Sequence, residues 1–198
     1  EGLPISQCCG IAGYRFGEQG GAVLGHAIHN HDLMTYFMGP IAAVSAMTTT
    51  RVNPIETEDC AALTFQMVNG ALCTSNITLG AAFDQTRIRL VFEELTATSG
   101  SAPYAPGSEA WQFVARDPAK QSVIDDAIAN TKTERVGFEG YFAALADTLT
   151  GRPSKAVTLE EGAASIELVT AIYHAARSGQ RVPLPLGPDH PLYAGWQP

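Results

Sequence analysis

The chain has 198 residues, of which 45% are hydrophobic and 16% are charged, a balance that suits a folded core and excludes a disordered chain. Its 12 basic and 20 acidic side chains give a formal net charge of -8, which disfavours nucleic acid or an anionic membrane surface as the main partner because both require a cationic patch. No run approaches the roughly 20 apolar residues that span a bilayer. Four cysteines without a CxxC pair are too few for a disulfide scaffold, so we expect a reducing, cytoplasmic setting.

The N-terminal part is predicted to contain a connecting segment and then a helix. Residues 1–19 are rich in glycine, small and polar residues, and because the first residue is Glu1 rather than Met we expect a processed or shortened chain. Residues 21–38 are mostly apolar with helical spacing, and the helix ends at Gly39-Pro40, since glycine suits the position after a helix and proline cannot continue it. Apolar side chains occupy most of its circumference, so we expect this helix to be largely buried.

A β-rich region follows the helix. Its segments are rich in β-branched residues or alternate between apolar and polar side chains, which is typical of strands. These segments are residues 41–52, 61–67, 71–79 and 86–93. Between the second and third, Asn69-Gly70 supplies the pair that a type I′ hairpin needs, because both positions take positive φ. Four consecutive strands predict one mainly antiparallel sheet.

The C-terminal part is predicted to contain two helices. Residues 96–109 are predicted to be a loop, residues 111–115 a further strand, and residues 182–198 an irregular Pro-rich tail. The first helix is predicted from an apolar face of Phe138, Phe142, Leu145 and Leu149. The second is predicted to run from a capping box, Thr158 with Glu161, to Gly179. We expect a single α+β domain over residues 1–198, an open antiparallel sheet with helices packed on one face.

A polar stripe on the first predicted helix is the main candidate site. At about 100° per residue, His26, His29, Asp32 and Tyr36 share roughly a third of the circumference, whereas His31 points to the apolar side. Such groups must line either a hydrogen-bond network or a wet cleft, because a buried polar group without a partner costs free energy. A histidine in a cleft could move a proton to or from a substrate hydroxyl, and an aspartate one turn away could orient its ring.

Two other interpretations of the stripe remain open. The histidines could be satisfied core residues with Asp32 capping a loop, or the H-x-x-H-x-x-D spacing could hold one metal ion. We expect no metal, because no second acidic cluster completes a coordination shell. His174 and His190 are interpreted as isolated structural or surface residues. The chain also has no G-x-G-x-x-G turn, Walker loop or G-x-S-x-G elbow, which disfavours a nucleotide-phosphate cradle or a serine hydrolase.

The sequence resembles the C-terminal domain of the Gfo/Idh/MocA oxidoreductases over nearly its whole length. The residues that carry the resemblance are Gly20-Gly21, the helix with His29-x-x-Asp32 ending at Gly39, and the stretch 157–162 leading to Ser178-Gly179 and Val182-Pro183. The resemblance implies that an N-terminal Rossmann domain, absent from this chain, binds NAD or NADP, and that this chain alone binds no cofactor. It also places the catalytic lysine, in an E-K-P motif, in that missing domain.

The resemblance assigns His29 as an acid/base or as a ligand of a substrate hydroxyl, and Asp32 as the second aspartate of the family pattern D-x-G-x-H-x-x-D. The first aspartate position holds Gly25, so we expect His26, one turn before His29, to supply the missing polar group. Tyr36 and, more weakly, Arg15 are candidates for contacting the substrate.

The implied function is that of a substrate-binding and dimerisation domain in an NAD(P)-dependent dehydrogenase acting on a sugar, cyclitol or related polyol. We expect a dimer or tetramer formed through the sheet, and a fragment that is inactive alone. Two alternatives are an NAD-dependent glycoside hydrolase of the same family and a non-catalytic dimerisation or binding module. Nucleic acid and membranes are not expected partners.

Overall fold

The computed structural model describes residues 20–103, 105–132 and 134–195. They form two compact units: the first contains the described residues up to Ala81 and from Val157 onwards, and the second spans residues 82–156. The elements in chain order are a π-helical turn (Val23–Ala27), α1 (Ile28–Met38), β1 (Ile41–Thr49), β2 (Cys60–Met67), β3 (Leu72–Thr78), β4 (Arg89–Val91), β5 (Leu95–Thr98), β6 (Gln112–Ala115), α2 (Gln121–Ala129), α3 (Gly137–Leu149), α4 (Leu159–Ser178) and β7 (Val182–Pro183).

The first unit contains a four-stranded antiparallel sheet in the order β3-β2-β1-β7. Alternate residues of β2 are buried, as the period of two predicts, and they join buried residues of α4 in one hydrophobic core. The buried β2 residues are Ala61, Leu63, Phe65 and Met67. The α+β class and the antiparallel sheet with packed helices are confirmed.

Helix α4 begins and ends where the sequence predicts. The Thr158 hydroxyl accepts a hydrogen bond from the Glu161 amide, and the Glu161 carboxylate accepts one from the Thr158 amide, which completes the capping box. Gly179 ends the helix with φ 67°. Both signals are local, so the limits of this helix are set by residues a few positions apart in the sequence.

The hairpin between β2 and β3 is present, but its turn differs from the predicted type I′. The Gly70 amide donates to the Met67 carbonyl, and the Met67 amide donates to the Ala71 carbonyl, so the loop has three residues rather than two. Gly70 has φ 88°, as expected for the last residue of such a loop. The Asn69 amide group also donates to the carbonyl of Met38 at the end of α1.

Four further predictions are wrong in part. Residues 86–93 contribute only the short strand β4, which lies in a second sheet, and part of the predicted loop 96–109 belongs to β5. The start of the tail forms β7, because Val182 and Pro183 pair with β1. Helix α1 with its preceding turn is not largely buried: between residues 22 and 38 only Ala22, Val23, Ala27 and His31 are buried.

The second unit contains a three-stranded antiparallel sheet in the order β4-β5-β6, with α2 next to β6. Helix α2 was not predicted. Helix α3 confirms the predicted helix, and the rings of Phe138 and Phe142 stack with 6.2 Å between centroids. Both rings and Leu149 are exposed. Across the described ranges, no helix combines the length and apolar character needed to cross a membrane.

Candidate functional site

The candidate site lies on α1, and the start of this helix is fixed by Glu58 and Tyr173. The Ala22 amide donates to the Glu58 carbonyl at 2.9 Å, and the Val23 amide donates to Glu58 Oε1 at 2.9 Å. The Tyr173 hydroxyl accepts from the Gly21 amide at 3.1 Å and donates to Glu58 Oε1 at 3.0 Å. A carboxylate at a helix N-terminus satisfies free amides and interacts favourably with the helix dipole, so this network holds the helix in place.

Gly21 is required by this close approach. A Cβ on Gly21 would overlap both the carbonyl oxygen and the carboxylate of Glu58. One of the clashing atoms belongs to the backbone, so a rotamer change cannot relieve the contact. Gly21 therefore has a structural reason that is independent of any ligand.

The Tyr173 hydroxyl is held in its neutral form. Burial raises the pKa of Tyr173, and the negative charge of Glu58 raises it further. A neutral hydroxyl can donate to the carboxylate and accept from the Gly21 amide at the same time. The anchor is therefore a hydrogen-bonded network rather than a reactive group.

The helix begins with an unusual π-helical turn next to the candidate residues. The Ile28 amide donates to the Val23 carbonyl, five residues back, so this turn is wider than a regular α-helical one. Such π turns are rare and occur frequently at functional sites. Gly25 is exposed and His26 partly buried within it.

Three of the predicted stripe residues share one exposed face of α1. His29, Asp32 and Tyr36 are each exposed, Tyr36 to 72%, at intervals of about one helical turn. No hydrogen bond joins Asp32 to His29 in the described part of the chain, so the expected orienting contact is not present. The face is open and polar, which allows contact with a small molecule or with another domain.

His31 is buried, as its position on the apolar side predicts. It is 2% exposed, its ring packs edge-on against Phe65, and its Nε2 lies 3.1 Å from the hydroxyl oxygen of Ser75. Burial lowers the pKa of His31 to about 4, because the charged imidazolium would be poorly solvated. His31 is therefore neutral at physiological pH.

The remaining candidate positions lie elsewhere. Arg15 lies outside the described residues. His174 and His190, predicted to be isolated, contact each other with 4.5 Å between ring centroids. Within the described ranges no group of three or more histidine, cysteine or acidic side chains could hold a metal ion, so the H-x-x-H-x-x-D spacing does not assemble a coordination shell there.

Sequence reasoning missed both Glu58 and Tyr173 as parts of the site. These two residues are separated by 115 positions, and neither lies in a recognisable motif with the other. The Gly20-Gly21 pair was the one signal in the sequence, because adjacent glycines at a helix start indicate a close neighbour.

Comparison with known proteins gives one family. Residues 15–184 match the family model described as oxidoreductase family, C-terminal alpha/beta domain, known as GFO_IDH_MocA_C. No curated protein sequence matches.

Several solved structures are similar to this chain. The WlbA dehydrogenase from Bordetella pertussis, in complex with NADH and UDP-GlcNAcA, has 29% identity and a TM-score of 0.67 over 85% of this chain and 47% of its own. The WlbA dehydrogenase from Chromobacterium violaceum, in complex with the same two molecules, has 30% identity, the same TM-score and the same coverage. The aldose-aldose oxidoreductase from Caulobacter crescentus, complexed with glycerol, has 21% identity and a TM-score of 0.63 over 83% of this chain and 48% of its own, a likeness of fold alone. The chain therefore spans about half the length of these proteins.

Proposed function

The chain belongs to the C-terminal alpha/beta domain family of the Gfo/Idh/MocA oxidoreductases, and on that premise we propose that it is the substrate-binding domain of an NAD(P)-dependent dehydrogenase. The proposed substrate is a sugar, cyclitol or related polyol, and the proposed reaction oxidises a carbinol with hydride transfer to a nicotinamide. Two WlbA dehydrogenases solved with NADH and a sugar nucleotide support this substrate class, since both have about 30% identity to this chain.

The observation that carries the proposal is the exposure of His29 on an anchored helix. The network of Glu58, Tyr173 and Gly21 fixes the helix start, while His29, Asp32 and Tyr36 remain open to a neighbouring molecule. His31, by contrast, is buried against Phe65 with its Nε2 near Ser75 Oγ. An exposed face on a rigid element is the arrangement that a substrate-contacting site needs.

In this proposal His29 moves the proton of the reaction. Its imidazole accepts the proton from the substrate hydroxyl during oxidation and returns it during reduction, which suits histidine because its two protonation states are close in energy near neutral pH. Asp32 and Tyr36 contact other substrate oxygens from the same face, and Arg15 does so from the segment before the helix. His26 occupies the π-helical turn next to Gly25 and supplies a further polar contact.

The start of the first helix does not fit the phosphates of a dinucleotide. The amides at the start of the first helix, which could cradle a phosphate, are already bonded: that of Val23 donates to the Glu58 carboxylate and that of Ala22 to the Glu58 carbonyl. We therefore assign NAD or NADP to a second domain outside the described residues, and we derive no step in this chain through the cofactor. This domain alone should not bind NADH, whereas the complete protein should.

The outer face of the four-stranded sheet is the proposed oligomer interface. Helix α4 covers the core-facing side of the sheet. On the outer face, Met47 and Leu72 are 75% and 81% exposed. Thr64 and Thr74 form a cross-strand pair between β2 and β3, and both are exposed. A mixed polar and apolar sheet face of this kind suits pairing with a second copy.

The test is turnover by the complete protein after His29→Ala. We expect a loss in kcat of about 100-fold or more, as is typical when a general base is removed, with binding of NADH unchanged. Thr35→Ala, on the same helix, serves as the control, because the Thr35 hydroxyl donates to the Asp32 carbonyl within the helix. Unchanged turnover in His29→Ala would refute the proposal. In a separate assay, release of phenol from an aryl glycoside without net NADH formation would favour the glycoside hydrolase instead.

A further inference from the structure

His31 is a buried histidine on the helix that carries His29, and the proposed reaction does not use it. Its ring packs against Phe65 of β2, with 5.2 Å between centroids, and its Nε2 lies 3.1 Å from Ser75 Oγ on β3. Its Nδ1 is buried and has no hydrogen-bond partner among the residues that the structure describes. Burying an imidazole with one nitrogen unsatisfied carries a desolvation cost, which an apolar residue at this position would avoid.

The arrangement indicates which nitrogen carries the proton. A buried N–H group without an acceptor is rare in folded proteins. We therefore assign the proton of His31 to Nε2, where it is donated to Ser75 Oγ, and leave Nδ1 as an unprotonated lone pair. A single directional hydrogen bond then joins the middle of α1 to strand β3.

Hydrophobic patterning alone specifies the rotation of α1 weakly. Ile28, Met34 and Met38 pack against the core, but Tyr36 and Phe37 are apolar and exposed and Leu33 is partly buried, so apolar side chains lie around most of the helix. Several rotations would therefore bury similar apolar area. A hydrogen bond to one hydroxyl is satisfied in only one of them, since its strength depends steeply on distance and angle.

We infer that His31 is a positioning residue, whose hydrogen bond to Ser75 fixes the rotation of α1 and so keeps His29 and Asp32 on its open face. The inference rests on the proposed function, because only that function makes the open face a substrate-contacting surface. It goes beyond that function by assigning a role to His31, whose burial otherwise only adds a desolvation cost to the core. A desolvation cost of this kind is expected of a buried polar group that specifies one packing arrangement over others.

The test compares His31→Leu and Ser75→Ala in the complete protein. Both variants should lower kcat about tenfold, because small errors in the position of a reacting group are costly. The urea midpoint of His31→Leu should stay the same or rise, whereas that of Ser75→Ala should fall, because the buried Nε2–H loses its acceptor. Backbone amide signals from residues 28–38 should broaden or double by NMR. His31→Gln, whose side-chain amide can donate to the same hydroxyl, should recover most of the activity, and Ser122→Ala, at an exposed serine of α2, should behave as wild type.

The outcomes separate this inference from the proposed function. If His31→Leu keeps wild-type kcat and single sharp amide signals, or if His31→Gln performs no better than His31→Leu, the positioning role is overturned. A loss of activity in His31→Leu that merely follows a loss of stability would also overturn it. If His29→Ala has no effect on turnover but the amide signals of His31→Leu still broaden, the proposed function fails while the positioning role stands.

Discussion

The hydroxyl of Tyr173 should be one of the most costly single atoms to remove from the first unit. Tyr173→Phe leaves the buried amide of Gly21 without its acceptor and removes a hydrogen bond to the carboxylate of Glu58. An unsatisfied buried donor costs about 1–3 kcal/mol, and a hydrogen bond to a charged group contributes about 1.5–3 kcal/mol. Because the two effects overlap, we expect the free energy of unfolding to fall by about 2–4 kcal/mol.

Urea unfolding of the chain measures this loss. With a slope of about 2 kcal/mol per molar urea, the midpoint should fall by about 1–2 M. Tyr141→Phe provides a matched control, because Tyr141 is 43% exposed and substitutions at such positions usually change stability by less than about 0.5 kcal/mol. If Tyr173→Phe and Tyr141→Phe shift the midpoint equally, Tyr173 does not anchor the helix and the reasoning about its start is wrong.

Two further predictions concern the same part of the fold. The Asp59 carboxylate accepts hydrogen bonds from the amides of Arg51, Val52 and Asn53; burial raises the pKa of Asp59, but these donors outweigh it and lower the pKa from 3.8 to about 2. The stabilisation that results from this lowered pKa is therefore present above about pH 4 and is lost as the pH falls towards 2. Asp59→Asn should cost about 2 kcal/mol at pH 7, and its urea midpoint should fall less than that of the wild type between pH 7 and pH 2.5. An equal fall of the midpoint in both proteins would contradict the assignment. Gly21→Ala should cost at least about 2 kcal/mol by thermal unfolding because its Cβ overlaps Glu58, while Gly162→Ala, which has open space around the added Cβ, should be neutral or stabilising.

Local signals in the sequence predicted the elements that depend on local interactions. The capping box at Thr158 and the glycine at 179 set the limits of α4, because their hydrogen bonds involve residues a few positions apart. The period of two in β2 likewise predicted its buried face. The Asn69-Gly70 pair predicted a hairpin but not the number of residues in its loop, since the register of β2 and β3 decides that number.

The errors concern elements that exist because of distant partners. Strand β7 has only two residues and forms by pairing with β1, so a Pro-rich segment became part of the sheet. Strand β5 lies between β4 and β6, and nothing in Leu95–Thr98 alone distinguishes it from a loop. Helix α1 was predicted to be buried because its composition is apolar, but composition does not show which face packs.

The candidate site was predictable only in its outline. The spacing of His29, Asp32 and Tyr36 placed them on one face, and the structure shows that face exposed. The network of Glu58 and Tyr173 joins two residues 115 positions apart, and no pattern within either segment indicates the other. What positions the site is therefore tertiary structure, even where the site itself is a short motif.

Helix α1 is fastened at both of its ends by the two loops that flank a single strand. Glu58, just before β2, binds the first amides of the helical segment, and Asn69, just after β2, binds the Met38 carbonyl at its other end. The exposed side of the helix takes no part in either attachment. Substitutions on that side should therefore leave both attachments intact, whereas a chimera that takes this helix from a relative must also take the two loops at the ends of β2.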